Sequence, residues 1–453
     1  TWVEGPTFQR LAVADLWKPE PEDEDDDEEA EDPLAPDPRV VSLPLEVTLP
    51  RARPEGTKVL TNARVLTMNG DEVLDGVNVV IERDRIVEIG EGAMRAGAEI
   101  VDCTGKTVLP GLVDTHAHLH FSSVDVFPEQ EWRYLVNLDF GVTTVQDPST
   151  FTDLVFTQQE RVEAGLELGP RVYSTGYVLY GAQDTAPADT PSLDAARAHV
   201  RRQKLVGATS VKVYQQSQRE RRQWYVQACR EEGVICVPEG GGDTPYDLTM
   251  VVDGFHSIEH TIPTTPLFAD VRALWAGSTG GEQGDGYGTF YSPVFQVAYG
   301  AVMGMRWFEQ HGDWAHDERL LRHTPRRLLD AQLWRRDFLL YDEGYRFLGS
   351  VRDAAALRDA GVHVTTGSHG ELQGMGMHWE LWAMGLDGGM SPHEALRAAT
   401  IEGARYLGLE GEIGTVEVGK LADLIVLDAD PIADLHHSTD IWGVLKNGEW
   451  VSR

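Results

Sequence analysis

From Pro110 onward the chain alternates between short β-rich runs and helix-capable stretches, and this rhythm limits the fold more than any other feature. Strand-like runs fall at 111–117, 142–147, 171–176, 209–214, 233–238, 256–260, 289–297 and 362–367, with helical stretches such as 193–206 and 217–232 between them. Eight βα units over about 280 residues have the length and period of an α/β protein of the (β/α)8 TIM-barrel type, here spanning 111–411. The stretch 392–407 reads as a helix, with Ser391 as N-cap, Pro392 in its first turn and Glu394 three residues after the cap. The segment 298–350 is longer than an ordinary crossover and carries Trp307, Trp314, Trp334, Arg322, Arg326 and Arg327. It is expected to be an inserted helical lid that holds an anionic or aromatic group, or else an oligomer interface.

Both chain ends read differently. "KVLTNARVLTMNG", "VNVVIERDRIVEIG" and "EIVDCTGKTVLPG" are β-rich runs broken by turn residues, and 412–450 returns to β character with "LADLIVLD" as a buried strand. Residues 58–110 and 412–453 are therefore expected to pair into one small composite β-sandwich beside the barrel, containing an antiparallel sheet. Residues 1–57 read as an acidic, Pro-rich arm or linker, with short strands at 8–14 and 40–48. The chain starts at Thr1 and reads as a piece of something longer.

Charge narrows the partners. Asp and Glu number 73 against 39 Lys and Arg, a net charge of −34, and only 11 of the acidic groups sit in the run 20–32. A field of that sign repels phosphate backbones, so nucleic acid is excluded as a partner. Such a composition suits a high-salt or secreted habitat, and equally a codon bias without functional meaning. No apolar run is long enough to span a bilayer. Cys103, Cys229 and Cys236 form no Cys-x-x-Cys pair, and buried free thiols are expected.

The histidines carry the chemistry. In "PGLVDTHAHLH", His116 and His118 follow an apolar strand, and the i, i+2 spacing turns two imidazoles to one side, as two ligands of one divalent ion. Lys212 lies inside "VKVY", where a buried ammonium is costly. It is either salt-bridged or neutral, and a neutral amine can take up CO2 to form a carbamate that bridges two metal ions. Glu239 in "VPEGGGD" is either a metal ligand or a turn cap, with glycines that let backbone approach a bound group. His260 is the rim candidate of its strand, His256 lies deeper on the same face, and Glu259 is expected to point away as a structural residue. His369 in "TTGSHGELQG" can be a ligand or a general base. Glu371 and His378 are weaker candidates, and His363 is expected in the core or exposed.

"NARVLTMNG", "VLPGLVDTHAHLH", "SIEH", "SPHEALRAATIEGARYLGL" and "IGTVEVGKLADLIVLDADP" together resemble the amidohydrolase superfamily, in its imidazolonepropionase and prolidase-like branch. More narrowly, "VPEGGGD", "TTGSHGELQGMGMHWELW" and "ERLLRHTPRR" resemble amidohydrolase domains fused to a TolB-like β-propeller. The resemblance implies one or two divalent ions (zinc, or manganese or iron), with His116, His118 and His260 as ligands and Lys212 as a carboxylated bridge. It also favours a periplasmic or extracellular home over a cytoplasmic one, and a homo-oligomer is expected as well, with a TolB-like β-propeller domain or chain as a partner. Two positions depart from the family pattern. The usual strand-5 histidine is missing, with Glu239 next to its expected place, and the usual strand-8 aspartate is replaced around Ser368–His369. The expected activity is hydrolysis of an amide, peptide or cyclic-amide C–N bond in a small-molecule or peptide substrate by metal-activated water. His369 moves the proton in this reading, and Tyr214 hydrogen-bonds the developing oxyanion. The alternatives are an ester, lactone or phosphoester hydrolase on the same scaffold, and a non-catalytic binding module.

Overall fold

The computed structural model describes residues 2–4, 7–18, 37–45, 47–119, 128–181, 188–278, 286–334, 340–386 and 388–453. The acidic run 20–32 lies outside them. Three groups of parallel strands follow one another along the chain. The first joins Leu112–Asp114, Val142–Asp147 and Arg171–Ser174. The second joins Leu179–Tyr180, Ser210–Tyr214 and Ile235–Pro238. The third joins Ser257–Glu259 and Phe290–Ser292.

Backbone hydrogen bonds carry this order further. His256 N–H donates to the Cys236 carbonyl and Tyr291 N–H to that of His363, and Thr115 N–H donates to Thr366, returning to the first strand. The eighth expected strand is reduced to a single parallel bridge, Tyr291 with Val364. The strands are buried almost throughout because helices cover their outer side, which is why they read as continuous apolar runs rather than alternating ones.

The helices begin and end where local chemistry dictates. Ser192 caps Leu193–Leu205 through the Ala195 N–H, and Gly233 ends Arg219–Glu232 in a left-handed conformation. Ser391 and Glu394 form a reciprocal capping box on Pro392–Ala398. The helix expected over 392–407 is two helices, Pro392–Ala398 and Ile401–Tyr406. Val113 N–H takes the Ala399 carbonyl, and the Thr400 hydroxyl takes that of Leu396, so the ladder breaks between them.

Strands from both chain ends form one eight-stranded sheet. Its order is Glu449–Ser452, Ile441–Lys446, Leu424–Leu427, Thr107–Pro110, Thr57–Leu66, Val73–Glu82 and Arg85–Gly90, with Glu99–Asp102 also on Thr57–Leu66. The sheet is mixed rather than antiparallel, because Thr57–Leu66 pairs in parallel with both Glu99–Asp102 and Thr107–Pro110. It buries its own apolar cluster around Leu60, Val79, Val108 and Val426. In the arm, Thr7–Arg10 pairs with Val41–Pro44 and Trp2–Glu4.

The stretch 298–350 is helical, with Met305–His311, Glu318–His323 and Arg326–Trp334. It packs into the main core through Phe308, Trp314, Leu320 and Leu329. Phe308 stacks on Trp379 with ring centroids 5.4 Å apart. No helix among the described residues is long and apolar enough to cross a membrane. The three cysteines are free and buried.

Candidate metal centre

Leu112–Asp114 is followed by three residues that carry the chain to His118, and both imidazoles meet there. The His116 and His118 Nε2 atoms lie 3.2 Å apart. Two nitrogen ligands at about 2.0–2.1 Å on one tetrahedral ion would be separated by about 3.3 Å, so the pair has the spacing of ligands to a shared cation. His260 and His369 complete the group. The His116 ring centroid is 5.0 Å from that of His260 and 5.3 Å from that of His369, and those of His118 and His369 are 4.5 Å apart. Donor atoms form two overlapping sets that share His116. One is His116, His118 and His369, the other His116, Glu239 and His260, each within 4.8 Å.

Glu239 is the electrostatic hub. Its carboxylate lies 2.7 Å from Lys212 Nζ and 2.9 Å from His260 Nε2, and it accepts the Tyr299 hydroxyl. Burial alone would raise its pKa, but the Lys212 and His260 charges outweigh that and hold it well below the usual carboxylate range. His116 is driven well below the ordinary histidine value, first by burial and then by the Lys212 charge, and burial also lowers His369. Both imidazoles are therefore neutral near pH 7, the state in which a ring nitrogen can hold a metal or accept a proton.

Several expectations need correction. Glu259 does not point away, because its Oε2 lies 2.6 Å from His116 Nδ1. Strict alternation holds only in extended backbone, and His260 sits at φ 67°, so the chain turns just after Glu259. The glycines after Glu239 do not open space for a ligand at Gly240. A Cβ there would stand 2.2 Å from the Glu259 carbonyl oxygen, so the glycine serves the chain's own packing. His378 is a core residue, bonded to Ser438 Oγ and the Phe140 carbonyl at 2.9 Å each, and its pKa is lowered to about 4 by burial. In the inserted stretch, Arg322 pairs with Asp139 and Arg326 with Asp330, and neither lines the cleft.

Other expected residues stand near the centre. Tyr214 lies on the cleft, stacked on Tyr180 at 5.0 Å, and burial raises its hydroxyl to about 12. Glu371 Oε1 is 3.3 Å from His369 Nδ1. His256 is buried behind the site, and His363 pairs with Glu402 at 2.6 Å.

Three neighbours of the site, Asp114, Asp147 and Tyr299, went unread in the sequence, and a fourth, Glu259, was read as pointing away. Asp114 accepts the backbone N–H groups of His116 and Ser368 and the Ser368 hydroxyl, tying the two loops together. Burial raises its pKa to about 6. Asp147 holds the Leu119 and Ser149 N–H groups and lies 3.9 Å from His118 Nδ1, with its pKa raised to about 7 by burial. Both close their strands with a carboxylate, which was a usable signal. Glu259 and Tyr299 left none, since their roles depend on a turn and on a distant segment.

The cleft above the cluster has a volume of about 680 Å3. It is lined by His118, Ser149, Thr150, Phe151, Tyr177, Val178, Tyr180, Lys212, Tyr214, Glu239, Val297, Tyr299 and His369. Aromatic rings form its walls and the polar groups converge at its floor, the usual build of a small-molecule site.

The donor set fits a divalent cation on the chemistry of the residues alone. Four imidazoles and a carboxylate converge, two ring nitrogens face each other at ligand spacing, and the other nitrogen of His116 is engaged by a buried carboxylate, as metal-bound histidines usually are.

Comparison with known proteins agrees with this geometry. The amidohydrolase family matches residues 107–451. An imidazolonepropionase from Symbiobacterium thermophilum is 25% identical over 389 residues, covering 80% of this chain and 85% of that protein. A 5-methylthioadenosine/S-adenosylhomocysteine deaminase from Bacillus cereus is 25% identical over 396 residues, covering 81% and 84%. Among solved structures, a Xaa-Pro dipeptidase with bound methionine superposes with a TM-score of 0.66 at 20% identity, covering 88% of this chain and 100% of that one. An ochratoxinase from A. niger reaches 0.63 at 18% identity, covering 88% and 96%. These two show a shared fold.

Proposed function

This chain belongs to the amidohydrolase family, and we propose that it hydrolyses an amide, peptide or cyclic-amide C–N bond on a (β/α)8 barrel flanked by a composite β-sandwich. The observation that carries this reading is the convergence of His116, His118, His260, His369 and Glu239 in two overlapping donor sets, of which His118, His369 and Glu239 line one cleft. The curated relatives support it, since their names describe enzymes acting on C–N bonds.

One or two divalent ions, zinc or alternatively manganese or iron, would be held by His116, His118, His260 and Glu239 with a carboxylated Lys212 as a further ligand, and His369 would join them only where it does not serve as the proton carrier. A bound divalent ion supplies Lewis acidity and lowers the pKa of water to about 7. The remaining steps belong to the side chains. Tyr214 keeps its proton at neutral pH and donates to the carbonyl oxygen as it gains negative charge. Glu371 orients His369 through Nδ1, leaving Nε2 to accept the proton of the attacking water and pass it to the leaving nitrogen. A new C–O bond forms, the C–N bond breaks, and the amine departs neutral. Phe151, Tyr177 and Tyr180 give an apolar group on the substrate a wall to lie against.

The test is activity on a panel of dipeptides, N-acyl amino acids and their ester analogues, with metal-replete and chelated protein. Equal inertness of both preparations would refute hydrolysis, and esters cleaved in preference to amides would move the reading to another bond. A binding module is the second reading, favoured by the Lys212–Glu239 ion pair, in which the two groups engage each other. Metal retention without His116-dependent turnover would establish it. We also propose a homo-oligomer with a TolB-like β-propeller preceding the arm, in a periplasmic or extracellular setting. The support is motif likeness, and the check is the mass and location of the native protein.

A further inference from the structure

The segment "SPHEALRAATIEGARYLGL" lies outside the cleft, yet its Tyr406 reaches the site through one buried carboxylate. Tyr406 closes the helix Ile401–Tyr406 and is fully buried. Its hydroxyl donates to Glu259 Oε1 at 2.8 Å, and the Ser257 hydroxyl donates to the same oxygen at 2.6 Å. The other oxygen, Oε2, is left to His116 Nδ1 at 2.6 Å. Tyr406 is itself clamped. His256 Nε2 donates to its carbonyl at 2.8 Å, and the rings of His256 and Phe290 stand 4.8 and 5.6 Å from its own.

We infer that Tyr406 is a positioning residue for the His116 imidazole, acting through Glu259. The inference rests on the reading above only in taking His116 as a metal ligand. A neutral imidazole has two tautomers, and the hydrogen bond to Glu259 selects the one with the proton on Nδ1. That choice leaves the Nε2 lone pair facing His118 Nε2, the place where a cation belongs. A buried carboxylate can rotate about its terminal bond unless its oxygens are pinned. Here two hydroxyls pin Oε1, so Oε2 has one direction to face. Three residues from two separate stretches, Ser257, Glu259 and Tyr406, thus set the angle of one ring. His256 has its place in the same device, holding Tyr406 from behind.

The test uses the full chain. Tyr406→Phe removes one oxygen and leaves the packed ring. Zinc affinity, read by competition with a chromophoric chelator, is expected to fall about 10–100-fold. In metal-free protein, the 15N resonances of His116 are expected to shift from the Nδ1–H tautomer towards a mixture. Glu259→Gln should lower affinity at least as much, and Tyr406→Phe added to it should lower affinity no further. The inference is overturned if Tyr406→Phe binds zinc within about twofold of the parent with the His116 tautomer unchanged, or if the two substitutions add. Where Tyr406→Phe does not fold, Ser257→Ala removes the other pin on the same oxygen and is read the same way. None of these readouts needs substrate. An inert enzyme with this affinity pattern would refute hydrolysis and leave the inference standing, whereas an active enzyme without it would do the reverse.

Discussion

Replacing Glu239 with Gln keeps the shape of the side chain and removes the charge at the centre of the site. The carboxylate has Lys212 Nζ at 2.7 Å, His260 Nε2 at 2.9 Å and the Tyr299 hydroxyl, and the Lys212 and Glu239 side chains are 1% and 6% exposed. Water cannot screen what is left behind. In Glu239→Gln the ammonium of Lys212 loses its counter-ion, and the new NH2 group turns a donor towards other donors. Breaking a buried pair in this way costs about 3–5 kcal/mol, whereas replacing both members by uncharged groups of similar size is about neutral. Lys212→Met alone should cost less, about 1–3 kcal/mol, because Glu239 keeps His260 and Tyr299. The double variant should then be more stable than Glu239→Gln alone, with a coupling of about 2 kcal/mol or more. The assay is urea unfolding of metal-free protein at neutral pH, followed by tryptophan fluorescence and far-UV circular dichroism and analysed where the transitions coincide. A cost below about 1 kcal/mol for Glu239→Gln, or a double variant equal to the sum of the singles, would refute the claim that the two charges hold each other.

Three further outcomes are expected. Burial lowers the His378 pKa to about 4 from an ordinary 6.5, so the unfolded chain binds the extra proton between those values. Its contribution to stability is complete above pH 6.5 and is lost as pH falls towards 4. His378→Gln should flatten that part of a pH–stability curve, and an unchanged slope would count against the assignment. Tyr214→Phe should lower kcat by roughly 100-fold with little change in KM, and a raised KM with kcat unchanged would mean ground-state binding instead. Gly370 sits at φ 69°, where a Cβ would stand 2.1 Å from the His118 carbonyl oxygen. Gly370→Ala should therefore lower metal affinity by calorimetric titration, and unaltered binding would show that the 368–370 loop yields at no cost.

How legible the site was depended on the range of the interaction. His116, His118 and Glu239 stand just past the ends of apolar strands and Lys212 stands inside one, and position along a strand is a local property. Glu259 was misread because one left-handed residue, His260, ended the alternation that the reading assumed. The split between Pro392–Ala398 and Ile401–Tyr406 could not be seen, since the carbonyl that breaks the helix is claimed by Val113, nearly 300 positions away. The cationic lid was over-read. Arg322 and Arg326 satisfy carboxylates of their own surroundings, while the contribution of that stretch to the cleft is Tyr299, for which the sequence held no sign.

The amino-acid order by itself determined the period of the βα alternation, the helix caps and the spacing of the two leading histidines, because each depends on residues within a turn or a strand of one another. Tertiary structure alone decided which nitrogen of His116 faces the cleft, which charges Glu239 balances, and which carboxylates fix loops instead of doing chemistry. Those outcomes follow from burial, which makes every polar group find a partner, and the nearest partner in space is seldom the nearest in the chain.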